Sequence, residues 1–269
     1  MINVLHIISN GIKRDGITNT FIELISNIDD ENFRIDIAAV HNDDIDVIRE
    51  IEEFGCKVIK LPDRQSNILK YCLELFTQLR KGKYQAIHVH GSSSLLFIDL
   101  FIAKCAGVKK RIAHSRNTTN HYKKLDKLIR PLFHMTYTKA LACGKDAGEF
   151  LFGNRKFTVI YNGKDFEKFK YDQERRLLVR SNLMVGNSIL LGFVGSLNDQ
   201  KNPLFLIDIL SYLVKEDVDV KLIIIGDGSR RQEVEKYSEE LDVFEHVIFA
   251  GRVSNVDRLL HAVDIMLLP

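Results

Sequence analysis

Short apolar runs alternate with amphipathic stretches along almost the whole chain. The runs near Asn3–Ile8, Phe33–Val40, Lys57–Lys60, Ala86–Val89, Arg111–His114, Ala140–Ala142 and Thr158–Ile160 read as β-strands. They are short, rich in Val, Ile and Ala, and bounded by polar or Gly-containing turns. Between them, apolar residues recur at helical spacing over Thr18–Asn27, Ile45–Phe54, Asn67–Arg80, Leu95–Ala106, Lys123–Thr136 and Lys145–Phe152. Such βα alternation predicts parallel sheets covered by helices.

The pattern breaks at Phe166–Asn187, which is rich in charge, lacks a strand and reads as a linker leading into one helix near Asp172–Leu183. A second series follows, with strands near Ile189–Val194, Val220–Ile225, Val247–Ala250 and Asp264–Leu268. The expected organisation is a first domain over 1–170, a linker over 171–187 and a second domain over 188–269. Four strands fall short of a usual doubly wound sheet, so the second domain is expected to be incomplete, from a fragment or a truncated protein.

Composition narrows the classes without choosing one. Hydrophobic residues make up 45% and charged residues 28%, as in ordinary globular proteins, and a net charge of +2 gives no argument for a nucleic-acid partner. Cys56, Cys72, Cys105 and Cys143 show no metal spacing, and each lies in or beside an apolar run, so all four read as reduced core or near-core thiols. No run reaches the ~18 apolar residues of a membrane span, and the chain enters a strand almost at once, so a cytoplasmic protein is expected.

Candidate chemistry gathers where strands end. FVGSLNDQKNP, from Phe193 to Pro203, and LIIIGDGS, from Leu222 to Ser229, each pass from an apolar run through a Gly-containing turn toward a helix. Such turns present backbone N–H groups and a helix start to a phosphate. Lys201 adds a positive charge, Gly226 would let a ligand approach closely, and Asp227 would cap a helix or meet a ligand hydroxyl. The loop from Asn10 to Thr18 offers Gly16 for the same kind of approach, although an ordinary connection capped by Asp15 or Thr18 explains it equally well.

HVHG places His88 and His90 on one face of a strand, a spacing unlike that of helical metal ligands. His90 is either a crevice residue or a half-buried histidine bonded to backbone. RIAHSRNTTNH sets His114, Ser115, Arg116 and Asn117 at the end of another strand, where a cation could hold a phosphate. Asn162 and Gly163 in VIYNGKDFEKF suit a tight turn with positive φ, followed by the anchoring Phe166 and Phe169. Lys109–Arg111 and Lys123–Arg130, around Leu125, Leu128 and Ile129, form a basic amphipathic patch that either docks on an anionic membrane or is simply a wet helix face.

Taken in order, VLHIIS with its Gly loop, YQAIHVHG, RIAHSRN, LACGKDAGEFLFG, VIYNGKDFEKF, VGSLNDQKNPLFLI, LIIIGDGSRR and VIFAGRVSNVDRLLHAVDIMLLP resemble the GT-B-type glycosyltransferases of family 4. Bacterial enzymes of capsule and exopolysaccharide synthesis belong to that family. The resemblance implies two Rossmann-like domains, the first binding an acceptor and the second a nucleotide-sugar, most often a UDP-sugar. It implies transfer of a hexose-type sugar to a growing, lipid-linked glycan, with no metal and no cofactor, at the inner face of a membrane.

By position, the resemblance makes Lys201, His114 and Arg116 the catalytic candidates. It assigns Gly16, Gly195, Ser196, Lys201, Gly226, Asp227 and Gly228 to the nucleotide-sugar, and His90, Asn117 and Asn162 to the substrate. Several positions depart from the family. Ser196 stands where an arginine is usual, Arg116 where a histidine is frequent unless His114 takes that place, Asp15 where a glycine is common, Thr18 where a glutamate is common, and Gly144 where a serine is usual. The family's later acidic segment has no counterpart before Pro269. An inactive remnant or non-catalytic partner of the same pathway, or a nucleotide-sugar epimerase, are the competing expectations.

Overall fold

The structure is a computed structural model that describes residues 1–28, 31–40, 43–119, 123–253 and 255–269. The chain divides into two compact units, Met1–Lys164 and Asp165–Pro269. Both units are α/β with wholly parallel sheets.

The first unit runs β1 (Ile2–Ile8), α1 (Gly16–Ile25), β2 (Phe33–Ala39), α2 (Ile45–Glu53), β3 (Lys57–Lys60), α3 (Ile68–Lys81), β4 (Ala86–Gly91), α4 (Phe97–Cys105), β5 (Lys110–Ser115), α5 (Lys123–Phe133), β6 (Lys139–Ala142), α6 (Lys145–Phe152) and β7 (Thr158–Val159). Its strands lie in the order β3-β2-β1-β4-β5-β6-β7. Because strands alternate sides, each contributes to two cores. Leu5, Ile7, Val89, Leu100, Phe133 and Phe152 fill one, while Ile8, Phe21, Ile37, Val47 and Ile51 fill the other.

The second unit runs α7 (Gln173–Asn182), β8 (Ile189–Val194), α8 (Leu204–Lys215), β9 (Val220–Ile225), α9 (Arg231–Glu240), β10 (Val247–Gly251), α10 (Val256–Leu260) and β11 (Ile265–Met266). Its order, β10-β9-β8-β11, repeats the β3-β2-β1-β4 portion of the first sheet. The order therefore reverses direction between β1 and β4, and again between β8 and β11. Open α/β sheets bind ligands beyond the carboxyl ends of strands at such points.

Several expectations need correction. The helix expected near Asp172–Leu183 is present as α7 (Gln173–Asn182), and it is anchored in the second unit rather than lying in a free linker. Arg176 donates to the carbonyls of His261, Ala262 and Val263, and Arg180 to those of Ala262, Gly186 and Ser188. Both guanidinium groups also pair with Asp264, at 2.5 and 3.0 Å. Carbonyls at the end of α10 thus satisfy two of the charges in this charge-rich stretch. Asn162 and Gly163 have no positive φ and form an irregular segment, not a tight turn. Phe166 and Phe169 are exposed rather than anchoring, since Asp165 caps a single 3-10 turn there. Cys105 is an exposed thiol, because it sits at the outer end of α4, whereas Cys56 is buried.

Candidate functional site

In the second unit, the turns after β8 and β9 interlock through their backbones. A Cβ on Gly226 would stand 2.0 Å from the Gly195 carbonyl oxygen, and one on Gly228 would stand 2.2 Å from that of Leu197. Gly226 also has φ +137°. Hydrogen bonds close the contact: Gly195 N–H donates to Ile225, Leu197 N–H to Asp227, and Arg230 N–H to Leu197. Gly226 N–H donates to the Gly251 carbonyl at 2.7 Å. The close approach expected of Gly226 toward a ligand is thus taken by the neighbouring turn. Asp227 Oδ1 likewise accepts from Gly228 N–H within its own turn.

Around this locked core stand the groups that remain available. Ser196 is exposed just past β8. Lys201 ends a 3-10 turn that Asn198 holds by accepting from Lys201 N–H. Asn202 then takes a left-handed conformation, and Pro203 leads into α8. Arg230 takes up Asp199 at 3.3 Å and Glu233 at 2.6 Å. The exposed Lys201 ammonium has no carboxylate partner among the described residues. Neither α8 nor α9 has a side-chain cap at its start. Two helix N-termini and one unpaired cation at a strand-end crest form an environment suited to phosphate charge.

The comparable turn of the first unit is already filled. Asp15 Oδ1 accepts from Ile17 N–H at 3.0 Å and from Thr18 N–H at 2.9 Å, so the start of α1 carries its own carboxylate. Gly16 is exposed and a Cβ there would meet nothing within 4 Å.

A ladder of four histidines crosses β1, β4 and β5 of the first unit. His6 Nδ1 lies 3.0 Å from His90 Nε2, and His88 Nε2 lies 3.0 Å from His114 Nδ1. Arg116 Nη1 is 3.3 Å from His114 Nε2. A guanidinium only donates, so His114 accepts at Nε2, carries its proton at Nδ1 and donates it to His88. Burial holds every ring neutral. It brings His6 and His114 down to about 3, with a smaller push from Arg116, and His88 and His90 well below the ordinary value. Burial also lowers Arg116, partly offset by Cys143 and Asp15.

His90 is thus bonded to a histidine, where the sequence suggested either a crevice residue or a backbone partner. Asn117 Oδ1 is spent locally on Thr118 N–H, and Asn162 is exposed. The structure groups His90, His114 and Arg116 in the first unit, and Gly195, Ser196, Lys201, Gly226, Asp227 and Gly228 in the second. Sequence reasoning passed over His6. Its only signal is a lone histidine within an apolar strand, and its pairing with β4 is invisible without the strand order.

Two arginines of the basic patch are used internally. Arg111 donates to the carbonyls of Thr136 and Val108, and Arg130 to those of Phe150 and Leu151 as well as to Asp126 at 2.6 Å. Asp126 in turn accepts from Ser93 and Ser94, which fixes the inner side of α5. Leu125, Leu128, Leu132 and Met135 then face outward, 43, 75, 51 and 71% exposed, beside the exposed Lys124 and Lys127. The side chain of Lys123 lies outside the described residues.

Residues 174–269 match the family described as "Glycosyl transferases group 1". EpsF of Bacillus subtilis (strain 168) is 28% identical over 99% of this chain and 72% of its own length. The UDP-Gal:alpha-D-GlcNAc-diphosphoundecaprenol alpha-1,3-galactosyltransferase of Escherichia coli is 26% identical over 75% of this chain and 56% of its own. Anabaena HepE, solved in complex with UDP-glucose, superposes with a TM-score of 0.83 at 18% identity, covering 99% of this chain and 73% of HepE. By these likenesses the chain resembles the glycosyltransferases of the GT-B, family 4 type, and it shares their fold.

Proposed function

We propose that the chain transfers a hexose-type sugar from a UDP-sugar to a growing, lipid-linked glycan in capsule or exopolysaccharide synthesis. The observation that carries this reading is the crest of the second unit, where exposed Lys201 and two uncapped helix starts surround interlocked glycine turns. Such a crest offsets the two negative charges of a diphosphate, on which leaving-group stabilisation depends. Names of relatives point the same way, since one uses UDP-Gal with a diphosphoundecaprenol-linked acceptor and another, CapH of Staphylococcus aureus, serves capsular polysaccharide biosynthesis.

In the proposed step the bond from the sugar's anomeric carbon to the diphosphate oxygen breaks, and a bond to the acceptor oxygen forms. The acceptor's proton passes to the departing diphosphate. His114 is a poor alternative base, because burial and Arg116 leave it at about 3. His90, Asn117 and Asn162 are assigned to the acceptor side, and no metal or cofactor enters the transfer.

The outer face of α5 supports contact with an anionic membrane surface, as a lipid-linked acceptor requires. Its exposed leucines and Met135 would enter the interface while Lys124 and Lys127 meet lipid phosphates.

Ser196, lacking the guanidinium usual at its position, favours a second reading in which the chain binds without turning over. Incubation with UDP-glucose, UDP-galactose and UDP-GlcNAc, with and without a lipid-diphosphate-linked sugar acceptor, separates the readings. Acceptor-dependent UDP release supports transfer. Absence of UDP release with every donor supports the non-catalytic reading, and acceptor-free conversion of the donor sugar would indicate an epimerase.

A further inference from the structure

The histidine ladder lies where the strand order of the first sheet reverses, between β1 and β4. His6 pairs directly with His88 across these strands, and His90 is one pleat further along. One ring nitrogen from each of the three residues lies within 4.8 Å of the others. Proposed transfer chemistry gives His6 and His88 no task. One atom is also left over: His90 Nδ1 is buried and has no hydrogen-bond partner among the described residues. Burying a polar atom without a partner is costly, and its presence calls for an explanation.

We propose that His6, His88 and His90 form a binding site for one late first-row divalent cation of the zinc or nickel class, clamping β1 to β4 at the centre of the first unit.

Two arguments support the assignment. First, three imidazoles are a known complete protein ligand set, leaving one position for water. Second, the spacing is within reach. Two nitrogens bound to one ion at about 2.0–2.1 Å lie about 2.9 Å apart at a right-angle bite and about 3.4 Å apart at a tetrahedral one. One nitrogen from each ring already lies within 4.8 Å of the others, so no pair must close by more than about 1.4 Å to reach a tetrahedral bite.

An ion here replaces the contact between His6 and His90 and displaces the hydrogen bond that His114 gives to His88. His114 and Arg116 then form the outer boundary of the site. Among the described residues no carboxylate is bonded to these rings, and Arg116 is close, so binding should be weaker than at thiolate sites. The role is structural and independent of the donor assignment, and with an ion bound the buried His90 serves the clamp rather than the acceptor.

The test uses the full chain, stripped with chelator and dialysed against zinc, with metal content and thermal unfolding as readouts. The expected result is one zinc per chain, with a Tm that rises with zinc concentration. His90→Gln should abolish both effects, while His134→Gln, a partly exposed histidine elsewhere in the first unit, should leave both intact. Absence of retained zinc in the folded chain, or equal retention by folded His90→Gln, overturns the proposal. If His90→Gln does not fold, cobalt titration of the unaltered chain decides. Visible d–d bands with three shifted imidazole resonances support the site, and their absence contradicts it.

Discussion

The β1–α1 turn and the β8–α8 turn occupy equivalent places in two sheets of the same local strand order, yet they are chemically opposite. At the first, Asp15 already supplies a carboxylate to the helix start, while Gly16 faces open space. At the second, no side chain caps α8, a lysine without a carboxylate partner among the described residues stands beside it, and glycines pack against the adjoining turn. A shared architecture thus delivers two helix starts to equivalent places, and a few residues decide which is left to receive an anion. Glycine means different things in the two turns: in the second unit it is required by backbone contact, and in the first it is not.

The contrast can be broken most severely at Gly226. Gly226→Ala drives a Cβ into the Gly195 carbonyl at a backbone φ of +137°, so a loss of more than about 3 kcal/mol in unfolding free energy is expected. Urea denaturation measures it, and a variant as stable as the parent would show that the turns separate easily. Next in size is Lys201→Ala, which removes a charge-assisted contact worth about 1.5–3 kcal/mol, or roughly one to two decades in donor turnover. Initial rates of UDP release with a productive donor report it, and unchanged rates would remove Lys201 from the site.

Acid should weaken the first unit by a smaller, graded amount. Native His6 and His114 stand at about 3, below the ordinary 6.5 of the unfolded chain, so the unfolded state binds protons that the native rings refuse. Their contribution is complete above about pH 6.5 and declines as pH falls toward 3, by about 1.4 kcal/mol per pH unit for each such histidine. Urea midpoints at pH 7 and pH 5 should differ accordingly, and equal midpoints would contradict a neutral ladder. The smallest effects belong to the first turn. Asp15→Ala should lose about 1 kcal/mol from the α1 cap, and Gly16→Ala should shift stability by no more than about 1 kcal/mol. A large loss at Gly16 would mean that its open space is filled in the folded protein.

Much of the fold was legible because strands buried on both faces read as continuous apolar runs, as IIIG and LLGFV do. The Gly-rich ends of β8 and β9 were equally visible. Their division of labour was not, because it depends on which backbone approaches Gly226 and Gly228. The ladder was hidden for a similar reason: β1 and β4 are separated by two strands and three helices in sequence but are neighbours in the sheet. The helix at α7 was legible but its anchoring was not, because the partners of Arg176 and Arg180 are carbonyls around His261 and Ala262, 82 to 86 residues away in sequence. The cap at Asp15 was readable as one of two uses of that loop, and hydrogen bonds to Ile17 and Thr18 show its part in helix capping.

Titration of UDP into the parent chain, Lys201→Ala and Asp15→Ala, followed by calorimetry, tests the central claim most directly. The account predicts saturable binding by the parent, about 10–100-fold weaker binding by Lys201→Ala, and an unchanged affinity for Asp15→Ala. Equal affinity of the parent and a folded Lys201→Ala, or no binding by the parent, would contradict it.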